Sequence, residues 1–157
     1  MRVYLAGLIA GDKIKECLLW RASIVSQYRM KGSPLCDVEF ISPLKGKVLD
    51  TISENGYTSS IPGKAIVAGD LMSLKSCDLL IANMDKFGVQ REAIGTLSEI
   101  AIAYEAEIPV IMISSDSTYT EHPFLKHFAT LVVGSVQELL DSQYIDYFSN
   151  RLTKQYL

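Results

Sequence analysis

Cysteine and histidine are scarce in this chain. Three cysteines, Cys17, Cys36 and Cys77, and two histidines are spread over 157 residues. They form no CxxC pair and no Cys/His cluster, so neither a zinc site nor a disulfide framework is expected. The thiols read as free, in a reducing compartment. No apolar run approaches the roughly 18 residues that cross a bilayer, which excludes a membrane partner. The opening Val3-Tyr4-Leu5-Ala6 reads as a strand and lacks the layout of a secretory leader, so a cytoplasmic location is expected. Basic charge is not in excess: 15 Lys and Arg stand against 18 Asp and Glu, net -3. That argues against a nucleic-acid footprint, and an anionic substrate would have to be held locally. A Gly-rich P-loop, a GxGxxG turn and a GxSxG elbow are also missing. Their absence removes the usual triphosphatase, dinucleotide and serine-hydrolase readings. No metal and no cofactor is expected.

What is present is an ordinary globular composition, 48% hydrophobic and 21% charged, at the size of one domain spanning 1–157. Five short apolar runs read as strands: 2–8, 38–42, 78–83, 109–114 and 130–133. Helical periodicity fills the intervals 12–31, 64–76 and 95–107, with a short helix over 124–128 and a closing one over 136–148. Asp12 is expected to cap the first helix, and Gly32-Ser33-Pro34 to stop it. On the second, Ile66, Val67, Leu71 and Leu74 share a face. Residues 43–63 and 115–123 read as loops, the first long enough to be functional or mobile. The tail 149–157 is polar. Strands alternating with helices imply right-handed βαβ units and a parallel sheet. The expected fold is α/β, a flavodoxin-like, doubly wound, five-stranded sheet. Ligands of such sheets sit beyond the carboxyl ends of the strands, at the switch in strand order. That rule selects residues 7–9, 83–95 and 114–122.

Within those segments Glu99 stands out. It is a carboxylate in the first turns of a helix whose neighbours, Leu97, Ile100, Ala101 and Ala103, are apolar or small. A carboxylate on a largely buried helix needs a reason. The helix opens on Gly95-Thr96, where backbone N–H groups can hold a phosphate or a hydroxyl. Tyr4 inside the first strand is either a core aromatic or a site residue. Gly7 lets a ligand approach the strand end. Asp78, just before the third strand, is either a turn residue or functional, and Asp70 lies eight residues upstream on the preceding helix. Trp20 either stacks on a base or packs in the core. Arg21 follows it. Asp85, Arg91 and Glu92 fall in the charged segment before the Glu99 helix. His122 is a weaker candidate base.

The segments Val3-Tyr4-Leu5-Ala6-Gly7-Leu8, Ser76-Cys77-Asp78-Leu79-Leu80-Ile81-Ala82-Asn83, Gly95-Thr96-Leu97-Ser98-Glu99-Ile100-Ala101-Ile102-Ala103 and Ile108-Pro109-Val110-Ile111, with His122-Pro123-Phe124-Leu125, together resemble the nucleoside 2-deoxyribosyltransferase family. The glutamate helix is the most specific of them. The resemblance implies transfer of 2-deoxyribose between nucleobases through a covalent glycosyl-enzyme on Glu99, with deoxyribose preferred over ribose. Tyr4 would orient Glu99, and Asp78 would lie near the base as a recognition or proton-handling group. The family's aspartate six residues before the nucleophile is replaced here by Ala93. Glu92 after a small loop shift, or Asp85 from the strand end, would then take its place. Related hydrolases of nucleoside monophosphates also lack that aspartate. The alternative is therefore an N-glycosidase acting on a (deoxy)nucleoside 5'-monophosphate, with Gly95-Thr96 and Arg91 or Arg21 as anion partners. A second alternative is a non-catalytic nucleotide-binding domain. The resemblance further implies a homo-oligomer, dimer or hexamer. Its contact face would be Ala93, Ile94, Leu97, Ile100, Ala101 and Tyr104. The tail, with Tyr144, Tyr147, Phe148 and Tyr156, would reach a neighbour's pocket.

Overall fold

The side chains of the first strand alternate between two apolar faces, and this sets the architecture. In the computed structural model, which describes residues 1–30, 38–44, 51–53, 56–58 and 61–149, β1 runs Arg2–Gly7 and is buried throughout after its first residue. Tyr4 and Ala6 point into one half of the core, Val3 and Leu5 into the other. β5 (Leu79–Asn83) and β6 (Val110–Ile113) repeat the pattern. Strands buried on both faces read as continuous apolar runs, which is why the sequence marks them so clearly. β2 (Glu39–Ile41) and β7 (Leu131–Val133) form the edges. The sheet order is β2-β1-β5-β6-β7, all parallel. This is the flavodoxin-like order expected from the sequence.

Helix α1 (Ile14–Met30), preceded by a 3-10 turn at Gly11–Lys13, covers one face together with α6 (Val136–Asp141) and α7 (Tyr144–Phe148). Helices α2 (Gly63–Lys75), α3 (Ile94–Glu105) and α5 (Pro123–Phe128) cover the other. Four local expectations are corrected. Asp12 lies inside the 3-10 turn, and no side chain caps its start. The 115–123 segment is not all loop: Asp116 accepts the Thr118 N–H at 2.8 Å and starts one helical turn, α4 (Ser117–Thr120). The closing helix is two helices, because Ser142 turns extended (ψ 169°) and its hydroxyl takes the Tyr144 N–H. A short antiparallel ribbon, β3 (Thr51–Ser53) with β4 (Gly56–Thr58), also stands where a loop was expected. Cys36, the stop at 32–34, the rest of that loop and the tail beyond 149 lie outside the described residues. Cys17 and Cys77 are free and buried, and burial pushes the Cys77 thiol up to about 11. Among the described residues no helix is long and apolar enough to cross a membrane.

Candidate active site

Strand order reverses between β1 and β5, where Gly7 pairs in register with Asn83. A cleft of about 240 Å³ opens there, against the start of α3. Parity decides what reaches it. Tyr4 points to the α3 side of the sheet, and its hydroxyl donates to Glu99 Oε1 at 2.9 Å. Tyr4 is 0% exposed. Burial first, and then the nearby carboxylates of Glu99 and Asp70, push its hydroxyl far above the ordinary range, so it stays a donor. A hydrogen bond to a charged group of this kind contributes about 1.5–3 kcal/mol. It fixes one carboxylate oxygen of Glu99.

The α3 start is a bare N-terminus. Ala93 occupies the cap position without a side-chain hydrogen bond, and Gly95 and Thr96 line the cleft beside Glu99. The first N–H groups of a helix have no partner within it, and the helix dipole favours negative charge there. Arg91 stands at the rim, its Nη2 donating to the Ile9 carbonyl at 2.7 Å. Glu92 accepts from the Tyr119 hydroxyl and from Lys86 Nζ at 2.9 Å. Those two bonds, Tyr119's first, hold its carboxyl below the ordinary range.

The structure therefore brings Tyr4, Gly7, Arg91, Glu92, Gly95, Thr96 and Glu99 to one place. It leaves five expected residues out. Asp78 sits at the opposite end of β5, where its Oδ2 accepts the Arg2 N–H at 2.7 Å and its own N–H donates to the Arg2 carbonyl. It clasps β1 to β5 and does not reach the cleft. Asp85 is turned away by two successive side-chain turns: Asn83 accepts the Asp85 N–H, and Asp85 accepts the Phe87 N–H. It lines a neighbouring cleft of about 460 Å³, as does Trp20. Arg21 is buried behind the end of β1. His122 precedes α5, its ring 6.1 Å from that of Phe124.

Asp70 joins the cleft instead, from α2. It also lines an adjoining depression of about 370 Å³ between α2 and β2, which shares Pro43 with the cleft. The signal for it was present in the sequence. Ile66, Asp70 and Leu74 recur at i, i+4 and i+8, a carboxylate set into an inward apolar stripe. Val67, expected on that face, is solvent-exposed. Among the described residues no group of three or more His, Cys, Asp or Glu is placed to hold a metal ion.

Fold and cleft together define a doubly wound α/β domain with a tyrosine-held glutamate at its switch point. No protein-family model matches the chain, and no curated relative does. Solved structures share the fold. A conserved protein from Enterococcus faecalis V583 superposes with a TM-score of 0.66 at 20% identity, covering 96% of this chain and 98% of its own. The 2-deoxyribosyltransferase of Bacillus psychrosaccharolyticus superposes at 0.63 and 13% identity, covering 93% and 95%. The CMP N-glycosidase BcmB of Clostridium botulinum superposes at 0.52 and 20% identity, covering 94% and 99%.

Proposed function

We propose that this chain breaks the bond between a nucleobase and its sugar in a nucleoside or nucleotide, with Glu99 as nucleophile. The observation that carries the reading is the Tyr4–Glu99 hydrogen bond inside the switch-point cleft. A carboxylate held by a buried, protonated tyrosine is oriented without being neutralised. In the first step a carboxylate oxygen of Glu99 attacks C1' of the sugar. The C1'–N bond breaks, its electron pair goes to the base, and a glycosyl ester forms on Glu99. Asp70, which lines the cleft from α2, handles the proton that the departing base gains. In the second step an acceptor attacks C1' and releases Glu99. With a second base the reaction is transfer of 2-deoxyribose. A 5'-phosphate would be received at the α3 start, by the Gly95 and Thr96 N–H groups and Arg91.

Hydrolysis is the second reading, and Glu92 favours it. Its carboxylate is engaged by Tyr119 and Lys86, and Ala93 is buried and apolar. That segment then offers no free carboxylate to seat an acceptor base, and water would serve. Incubating the protein with a deoxynucleoside, or its 5'-monophosphate, and a different free base separates the readings. A new nucleoside means transfer, and free sugar or sugar phosphate means hydrolysis. No turnover with any of these substrates would leave only a binding domain and end the proposal. Matched ribonucleosides, run alongside, are expected to react more slowly.

A further inference from the structure

Two hydroxyls stand in the first turns of α3, and they are used differently. Ser98 is exposed and donates back to the Ile94 carbonyl at 2.9 Å, the local bond that hydroxyls form inside helices. Thr96 is turned inward. It is 3% exposed and shares the buried stripe of α3 with Ile100 and Ala103. Its hydroxyl forms no hydrogen bond among the described residues. A buried hydroxyl without a partner is costly, and native proteins seldom keep one without a use. Among the described residues, Trp20 Nε1 is the only side-chain polar atom both sealed from solvent and unpartnered. The Thr96 hydroxyl is therefore not sealed. It meets open space, and the space that Thr96 lines is the switch-point cleft.

Its place along the helix says what it would hold. Thr96 and Glu99 stand at i and i+3, neighbours on one helix face with Cβ atoms about 5–6 Å apart. In the proposed reaction Glu99 reaches C1' of the substrate. A group one turn nearer the helix start then meets the sugar ring away from C1', where its hydroxyls are. The chemistry agrees. A threonine hydroxyl donates one hydrogen bond and accepts others, as a sugar hydroxyl does. Asp70, Glu92 and Glu99 line the same cleft, and three carboxylates favour a neutral group over an anion beside them. Arg91 stands at the rim with its Nη2 on the Ile9 carbonyl.

We propose that the Thr96 hydroxyl holds a hydroxyl of the substrate's sugar, and so fixes the ring while Glu99 meets C1'. The proposal rests on the reading of this cleft as a nucleoside site. Its test measures kcat/KM for native protein, Thr96→Val and Thr96→Ser on a 2'-deoxynucleoside and on its 3'-deoxy and 5'-deoxy analogues. Valine keeps the shape and removes the hydroxyl, and serine keeps the hydroxyl. Native protein is expected to lose about tenfold on one of the two analogues, and that analogue names the hydroxyl held. Thr96→Val should lose about as much on the parent nucleoside and nothing further on that analogue, because the bond is already gone. Thr96→Ser should stay near native. An unchanged value for Thr96→Val on the parent, an equal loss on all three substrates, or a loss confined to a 5'-monophosphate overturns the proposal. Without substrate, Thr96→Val should melt at the native temperature or above, since it removes an unpartnered polar group. A clear drop would make the hydroxyl structural and overturn the proposal. Calorimetric binding to Glu99→Ala separates this contact from the reaction. If native protein turns nothing over, yet Thr96→Val weakens binding of the parent about tenfold and of the analogue not at all, the reaction is refuted and the sugar contact stands. No binding of any of the three compounds overturns the contact as well.

Discussion

Glu99 and Tyr4 form a pair in which each residue has a separable effect. Glu99→Ala and Glu99→Gln remove the proposed nucleophile, and turnover should fall by about 10³-fold or more. Mass spectrometry of quenched native protein should show a sugar adduct on Glu99. Native-like turnover in either variant would end the covalent mechanism. Tyr4→Phe keeps the ring in the core and deletes only the 2.9 Å bond. A bond of this type is worth about one to two tenfold steps in rate. A kcat loss of roughly 10–100-fold with little change in melting temperature is expected. A large stability loss with normal kcat would reassign Tyr4 to the core alone. The sequence made this pair legible because a carboxylate on an apolar helix is anomalous wherever it falls. The sequence misdirected at Asp78, whose neighbours in the chain look like a site. Its partners are the Arg2 backbone at the far end of β5. An aspartate before a strand and one inside a helix are told apart only by which end of the sheet each meets.

At the scale of elements, the segment between β5 and α3 is held by side chains more than by regular structure. Phe87 and Gly88 both take positive φ, 52° and 84°. Lys86 and Tyr119 bind Glu92, tying this segment to α4. Glu92 titrates below its ordinary value in the folded protein. The unfolded chain therefore takes up that proton first as pH falls. The stabilisation is present above the ordinary carboxylate range and is lost as pH drops through the folded value. Glu92 is half-exposed, so the effect is small. The urea midpoints of native protein and Glu92→Gln should differ most near neutrality and converge as pH falls below the ordinary carboxylate range. A difference that is the same at both pH values would remove the charge from the account. The three central strands, β1, β5 and β6, were readable because double-sided burial writes an uninterrupted apolar run. The division of α6 from α7 was not, since one extended serine leaves no mark in helical periodicity. The same limit hid α4, a single turn made by one aspartate cap.

Over the whole molecule, the α2–α3–α5 layer leaves apolar side chains in water. Ile94 is 72% exposed, Met72 73% and Tyr104 42%, with Val67 and Phe124 also outward. Ile100 and Ala93, expected on the same contact face, are in the core instead. Contiguous exposed apolar surface is a common site of association, and we propose that this layer meets a second copy of the chain. Light scattering at micromolar concentration is expected to give at least a dimer mass, and Ile94→Lys should shift it toward monomer. A monomer mass for native protein would reject the expectation. The order of strands in the sheet was legible from alternation and handedness alone, because few topologies satisfy both.

That order also governs how the molecule comes into being. β1 is synthesised first, yet its inner edge pairs with β5, Val3 against Leu79 and Gly7 against Asn83. Until residue 83 has been made, one edge of a strand apolar on both faces lacks its neighbour in the sheet. Pairing across so long a stretch of chain is slow to form. The interval in which the nascent chain is open to aggregation therefore grows with the chain length between Gly7, which lines the cleft, and Asn83, its partner in the sheet.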